Sequence, residues 1–153
     1  MVRPAKKRTV EKPPKISGMK PIGVPGKLLD KITLSIDEYE AIRLSDYEGL
    51  GHKAGADEMN ISRPTFTRLL QGAHRKIAQT IVDVKDLIIE GGNYSFARVL
   101  VRCLDCQTVS DVGTEHGPDN FCPQCQSENI ICLNNEFQPG HCNRRGARRG
   151  RKL

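Results

Sequence analysis

Cys103, Cys106, Cys122 and Cys125 constrain this chain more than any other feature, because they form two Cys-x2-Cys pairs separated by fifteen residues. Each pair can turn both sulfurs toward one ion at about 2.3 Å, and two pairs complete a tetrahedral shell with no position open for substrate. The spacing predicts a structural Zn2+ site. Iron held by the same four sulfurs is the alternative that spacing leaves open. Six cysteines in a secreted chain would instead permit disulfides and no metal. However, the basic, proline-containing start lacks the apolar run of a signal peptide, and no later stretch approaches the roughly 20 apolar residues that span a bilayer. The expectation is a reduced, cytoplasmic protein with no membrane association.

With 153 residues, 37% of them hydrophobic and none tryptophan, the chain can build one modest core and a small metal-stapled module. Its net charge of +6 is unevenly spread: residues 1–27 carry eight Lys/Arg and one acid, and residues 140–153 carry six Lys/Arg and none. The 112 residues between them sum to −7. Two basic ends of this kind suit phosphate backbones, which attract Lys and Arg through counterion release without requiring a fixed fold.

Five prolines between Pro4 and Pro25 predict an extended arm, with the fold beginning after it. Ser35-Ile36-Asp37-Glu38 has the form of a capping box and predicts a helix from Ile36 to about Glu48, with Tyr39, Ile42 and Tyr47 on its buried face. A short helix over His52 to Met59 then turns at Asn60, which tolerates left-handed geometry, into a second helix capped by Ser62 or Arg63. Ala56 is small enough for two helices to cross closely, and Pro64 is harmless in a first turn.

Phe66, Leu69, Leu70, Ala73 and Ile77 recur at spacings of three and four and mark the buried stripe of that second helix. Its opposite face is polar and basic, and no acid occurs from Met59 through Val82. A recognition helix reads bases with its N-terminal side chains and grips phosphates with later ones. On that geometry Arg63, Thr65, Thr67 and Arg68 are candidates for bases and adjacent phosphates and Arg75 and Lys76 for phosphates, with Ser62 and Gln71 completing the DNA-binding set. An amphipathic hairpin with a merely solvated basic face is the competing reading.

The phrases Lys20-Pro21-Ile22-Gly23-Val24-Pro25, Leu34-Ser35-Ile36-Asp37-Glu38-Tyr39-Glu40-Ala41-Ile42-Arg43-Leu44 and Glu90-Gly91-Gly92-Asn93-Tyr94 resemble the prokaryotic family called domain of unknown function 134. The resemblance covers roughly residues 1 to 95. It implies a DNA-binding protein whose helix-turn-helix is similar to the promoter-reading region four of sigma factors. Gly51, His52, Lys53 and Gly55 depart from the family pattern, and a glycine inside a helix costs about 1 kcal/mol relative to alanine. Gly72 carries a similar penalty and reads as tolerated weakness.

Beyond the recognition helix, Ile81, Val84, Leu87 and Ile88 continue an apolar pattern up to Gly91-Gly92. Strands are predicted over Phe96–Arg102, Gln107–Val112 and Asn129–Leu133, which with the four cysteines describe a zinc ribbon. Cys132 reads as a small buried hydrophobe, and His141-Cys142 as part of a tail, with a second metal site or a redox sensor as the sharper alternative. His116 reads as a solvated loop histidine. Residues 143–152 are too Arg/Gly-rich to form a core and suit an acidic partner, nucleic acid first.

The class expected is mainly α: a basic arm (1–26), a helix-turn-helix domain (27–95), a small β zinc ribbon (96–138) and a disordered tail (139–153). No P-loop, Rossmann glycine pattern, Gly-x-Ser-x-Gly elbow or His-Glu-x-x-His occurs, so the expectation is not an enzyme. The function expected is sequence-specific binding of double-stranded DNA, as a transcriptional regulator. The ribbon is available to RNA polymerase or another protein, and a homodimer would extend the few bases that one short helix reads. RNA binding or ribosome association, and metal or redox sensing, are the rivals.

Overall fold

The computed structural model describes residues 6–113, 121–140 and 142. The first five residues of the basic arm, and the readings placed on His116, on His141 and on residues 143–152, lie outside the described residues. The chain divides into two units after residue 97.

Helix α1 (Ile36–Ile42) opens with the expected capping box: the Glu38 amide donates to Ser35 Oγ and the Ser35 amide donates to Glu38 Oε2 at 3.0 Å. It runs directly into a π-helical stretch, Arg43–Tyr47. The buried side of this segment is Ile36, Asp37, Glu40, Ala41 and Leu44, which differs from the stripe read from sequence. Tyr39 and Ile42 are half-buried and Tyr47 is 84% exposed, since the wider π turn carries the chain beyond Leu44 off the core-facing stripe.

Helices α2 (His52–Glu58) and α3 (Arg63–Val82) meet at a tight turn in which Asn60 has φ 55°. Ser62 is the cap, accepting the Thr65 amide on Oγ at 3.3 Å. Ala41, Leu44, Ala56, Met59, Phe66 and Leu70 form the core beneath the turn. Gly55 belongs to that packing. A Cβ there would lie 2.4 Å from Cζ of Phe66, so the position read as a weak point of the helix is a seat for the phenyl ring. At Gly72 a Cβ would come within 3.2 Å of Glu38 Oε1, the movable end of one side chain.

The first unit also holds five strands: β1 (Arg8–Val10), β2 (Gly18–Met19), β3 (Lys31–Leu34), β4 (Asp86–Ile89) and β5 (Tyr94–Phe96). β1 pairs with β5 in parallel. β4 lies between β3, to which it is parallel, and β2, to which it is antiparallel. Residues 8–19, read as an arm ahead of the fold, thus contribute two strands, and Val10 is fully buried. The apolar pattern after α3 does not continue the helix. Val84 takes φ 52° and the Lys85 amide closes on the Thr80 carbonyl at 3.0 Å, turning the chain into β4.

In the second unit, β6 (Leu100–Cys103) is flanked by antiparallel β7 (Val109–Asp111) and β8 (Ile130–Cys132), followed by the short helix α4 (Asn134–Phe137). Buried Asn134 braces the start of β6, accepting from the Leu100 amide at 3.0 Å and donating to the Arg98 carbonyl at 2.9 Å. The strand predicted over Phe96–Arg102 is split: Phe96 ends β5 in the first unit and β6 begins at Leu100.

Of the described residues, 36% are helical and 20% lie in strands of three small sheets, so the fold is α/β and the mainly α expectation is overturned. Strands of two to four residues carry too little alternation to register as a period, and β1 and β2 find their partners far away in sequence.

Candidate functional site

The fold places Cys103 at the end of β6, Cys106 in the turn that follows, and Cys122 and Cys125 in the turn leading to β8. All four sulfurs lie within 4.8 Å of one another. Sγ of Cys103 is 3.6 Å from that of Cys125, and Sγ of Cys106 is 3.7 Å from that of Cys122. A tetrahedron with metal–sulfur bonds of about 2.3 Å has edges of about 3.8 Å, so the sulfur set fits one ion.

The two turns repeat each other. The Cys103 amide donates to the Thr108 carbonyl at 3.0 Å and the Cys122 amide to the Ser127 carbonyl at 2.7 Å. Gln107 and Gln126 follow the second cysteine of each pair with φ 61° and 63°. The Cys106 amide points at Cys103 Sγ (3.5 Å) and the Gln124 amide at Cys122 Sγ (3.4 Å), placing backbone donors where thiolate charge would sit. Hydrogen bonds from Thr108 favour the Cys106 thiolate and lower its pKa to about 6. At Cys125 the Ser127 amide favours the thiolate, but desolvation and the three neighbouring sulfurs outweigh it and push the thiol up to about 12. Four sulfurs this close cannot all ionise without a cation among them.

Asp105, which the sequence reading passed over, ties the two turns together. Its carboxylate accepts from Ser127 Oγ and, at 3.1 Å, from Asn129 Nδ2. Those bonds, Ser127 first, hold it below the usual carboxylate range. Ile130 packs on Cys103 and Cys122, both buried, whereas Cys106 and Cys125 are exposed. Cys132 is not merely a buried apolar residue: it is disulfide-bonded to Cys142.

On α3, Ser62, Arg63, Arg68, Gln71 and Arg75 are exposed, and Thr65, Thr67 and Lys76 are half-buried. Among the described residues no ion pair engages Arg63, Arg68 or Arg75. Ser62 and Thr65 share a hydroxyl contact of 2.8 Å, and Thr67 Oγ1 lies 2.9 Å from Nδ1 of His52. Lys76 is spoken for, its Nζ 2.7 Å from Glu38 Oε2. His74 pairs with Asp46 at 2.6 Å.

Two acids of α1 fix the N-terminal segment beside this helix pair. Asp37, 1% exposed, pairs with Arg8, and Glu40, 2% exposed, binds Arg43 through both its oxygens at 2.8 Å. That hydrogen bonding holds the Arg43 guanidinium charged, above its ordinary pKa. Glu40 also accepts the Glu11 amide at 3.1 Å. As a result the Thr9 amide reaches the Met59 carbonyl at 3.0 Å and Lys6 Nζ reaches Asn60 Oδ1 at 3.1 Å, both in the turn between α2 and α3. The spacing Asp37–Glu40–Arg43 was available as a sequence signal; its partner Arg8 was not.

The family model described as protein of unknown function DUF134 matches residues 1–97. The chain is 43% identical over 151 residues to the UPF0251 protein of Chloroherpeton thalassium, covering 99% of both chains. It is 44% identical over 131 residues to that of Halothermothrix orenii, covering 84% of this chain and 97% of the relative. To that of Moorella thermoacetica it is 40% identical over 130 residues, covering 85% and 86%. No solved structure matches. Among the described residues no helix is long and apolar enough to cross a membrane.

Proposed function

We infer that this chain, which belongs to the family described as protein of unknown function DUF134, binds double-stranded DNA with the front of α3 in the major groove. In this reading it acts by binding rather than by catalysis, as a transcriptional regulator in the cytoplasm. The observation that carries the reading is the three exposed arginines Arg63, Arg68 and Arg75 on a helix free of acids, within a stretch of chain otherwise rich in them. Salt bridges within the protein would satisfy such a set if its role were structural. Left open to water, it suits phosphates and guanine edges.

The placement of Lys6 and Thr9 at the turn before α3 supports the same reading. It brings a cation of the N-terminal segment to the end of the helix that would meet base edges. The four-sulfur centre is read as structural Zn2+, which would fold the second unit and leave no coordination site for chemistry. That unit is then a surface for RNA polymerase or a second copy of the chain. Iron is the metal to exclude, by elemental analysis and by the absence of visible absorption.

Selection of bound fragments from random duplex DNA, with metal content measured on the same sample, tests both parts. The expected outcome is an enriched motif, one zinc per chain, and log affinity falling by about 0.9 per neutralised phosphate against log salt. Preference for structured RNA over every duplex, or no duplex binding at low ionic strength, would overturn the reading.

A further inference from the structure

Cys132 and Cys142 take no part in the four-sulfur centre, yet they are joined to each other with Cα atoms 6.5 Å apart. That span is within the roughly 4.4–6.8 Å that an ordinary disulfide bridges. The Cys142 amide donates to Asn135 Oδ1 at 2.9 Å, so a contact besides the bridge brings Cys142 to this place. Ile130 lies two residues before Cys132 on the same face of β8 and packs on Cys103 and Cys122. Ile130, and not Cys132, is the β8 residue in the buried cluster with the ligand cysteines.

A centre built on four thiolates needs a setting in which thiols stay reduced, whereas a lasting disulfide belongs to an oxidising one. One unit of the chain carries both. We propose that Cys132 and Cys142 are a reversible redox site, distinct from the metal centre, that closes by exchange with a low-molecular-weight disulfide and fixes the point from which the basic C-terminal segment leaves. Closure pins a loop holding α4 and Asn134, and the six Lys/Arg of the C-terminal end all follow Cys142 in sequence.

With oxidised glutathione as the co-reactant, Cys142 attacks first, because it is the less buried of the two. Its thiolate takes one sulfur of the small disulfide, forming a mixed disulfide and releasing one glutathione thiolate. The Cys132 thiolate then attacks the Cys142 sulfur and releases the second glutathione. Two protein thiols lose two electrons and two protons, and the glutathione disulfide gains them as two thiols.

The test uses the full-length, zinc-loaded chain across ratios of reduced to oxidised glutathione, with alkylation of free thiols, peptide mapping by mass spectrometry and zinc measured alongside. A Cys132–Cys142 linked peptide is expected to appear while zinc stays bound, to vanish with dithiothreitol, and to be absent from Cys142→Ser, which keeps its zinc. Trypsin cleavage after Arg144 and Arg145 is expected to slow on closure in the parent and not in the variant. Thiols that stay alkylatable at every ratio, bridges to a ligand cysteine, zinc loss ahead of closure, a bridge that dithiothreitol cannot open, or unchanged cleavage would each overturn the proposal. None of these readouts uses nucleic acid, so its failure is distinguishable from failure of the DNA-binding reading.

Discussion

Arg63, Arg68 and Arg75 are exposed and, among the described residues, in no ion pair, whereas Lys76 on the same helix is tied to Glu38. That difference separates binding from stability. Arg63→Ala or Arg68→Ala is expected to weaken duplex affinity by about 1–3 kcal/mol and relax base preference, while leaving urea unfolding within about 0.5 kcal/mol of the parent. Lys76→Ala should do the reverse, costing up to about 1 kcal/mol of stability with little change in preference; fluorescence anisotropy and urea titration on the same samples separate the two. Gly55 gives a second contrast of sign. Helix propensity favours Gly55→Ala by about 1 kcal/mol. Its Cβ, however, would sit 2.4 Å from Cζ of Phe66, and such overpacking costs about 1–3 kcal/mol. The expected result is a lower urea midpoint, and a raised midpoint would show that the ring moves aside freely.

Elements whose signal lies within one turn were legible in the sequence. The Ser35 capping box, the turn at Asn60, the Ser62 cap and the two cysteine pairs each rest on residues a few positions apart, and each is formed. What the sequence did not reveal depends on partners far along the chain. β1 is three residues long and becomes a strand by pairing with β5, and buried Asp37, which accepts locally from Ser35 Oγ and the Glu38 amide, takes its ion-pair partner Arg8 from the distant N-terminal side. Asp37 and Glu40, not among the buried-face residues read from the sequence, are on the inner side in this fold. Tyr47, an aromatic at the expected spacing, points outward because of a π turn that nothing in its neighbours announces. The α1–β1 link therefore has a measurable weight. Asp37→Ala should remove a charge-assisted hydrogen bond of about 1.5–3 kcal/mol and also free Lys6 and Thr9 from the turn. Both a lower melting temperature and faster amide exchange at Thr9 are expected. Unchanged exchange at Thr9 would mean that β1 is held by β5 alone.

At the scale of the molecule, the two units rest on different physics. Residues up to 97 enclose an apolar core of helix and sheet, while the second unit gathers three short strands around four sulfurs and a small apolar cluster that includes two of the ligand cysteines. A metal bound by four thiolates can contribute about 10–16 kcal/mol to folding at neutral pH, far more than so small a cluster supplies. Chelation should therefore act on one unit only. Because α1, α2 and α3 all precede residue 97, helical circular dichroism is expected to survive removal of the ion, whereas residues from 98 onward become accessible to protease. Acidification works in the same direction, since protons compete with the ion for thiolates: the second unit is held at and above neutrality and lost as the pH falls. Asp105→Ala, which unties the two cysteine turns from each other without touching a ligand, should move that loss to a higher pH. Helical signal collapsing together with metal release would show instead that the first unit depends on the second.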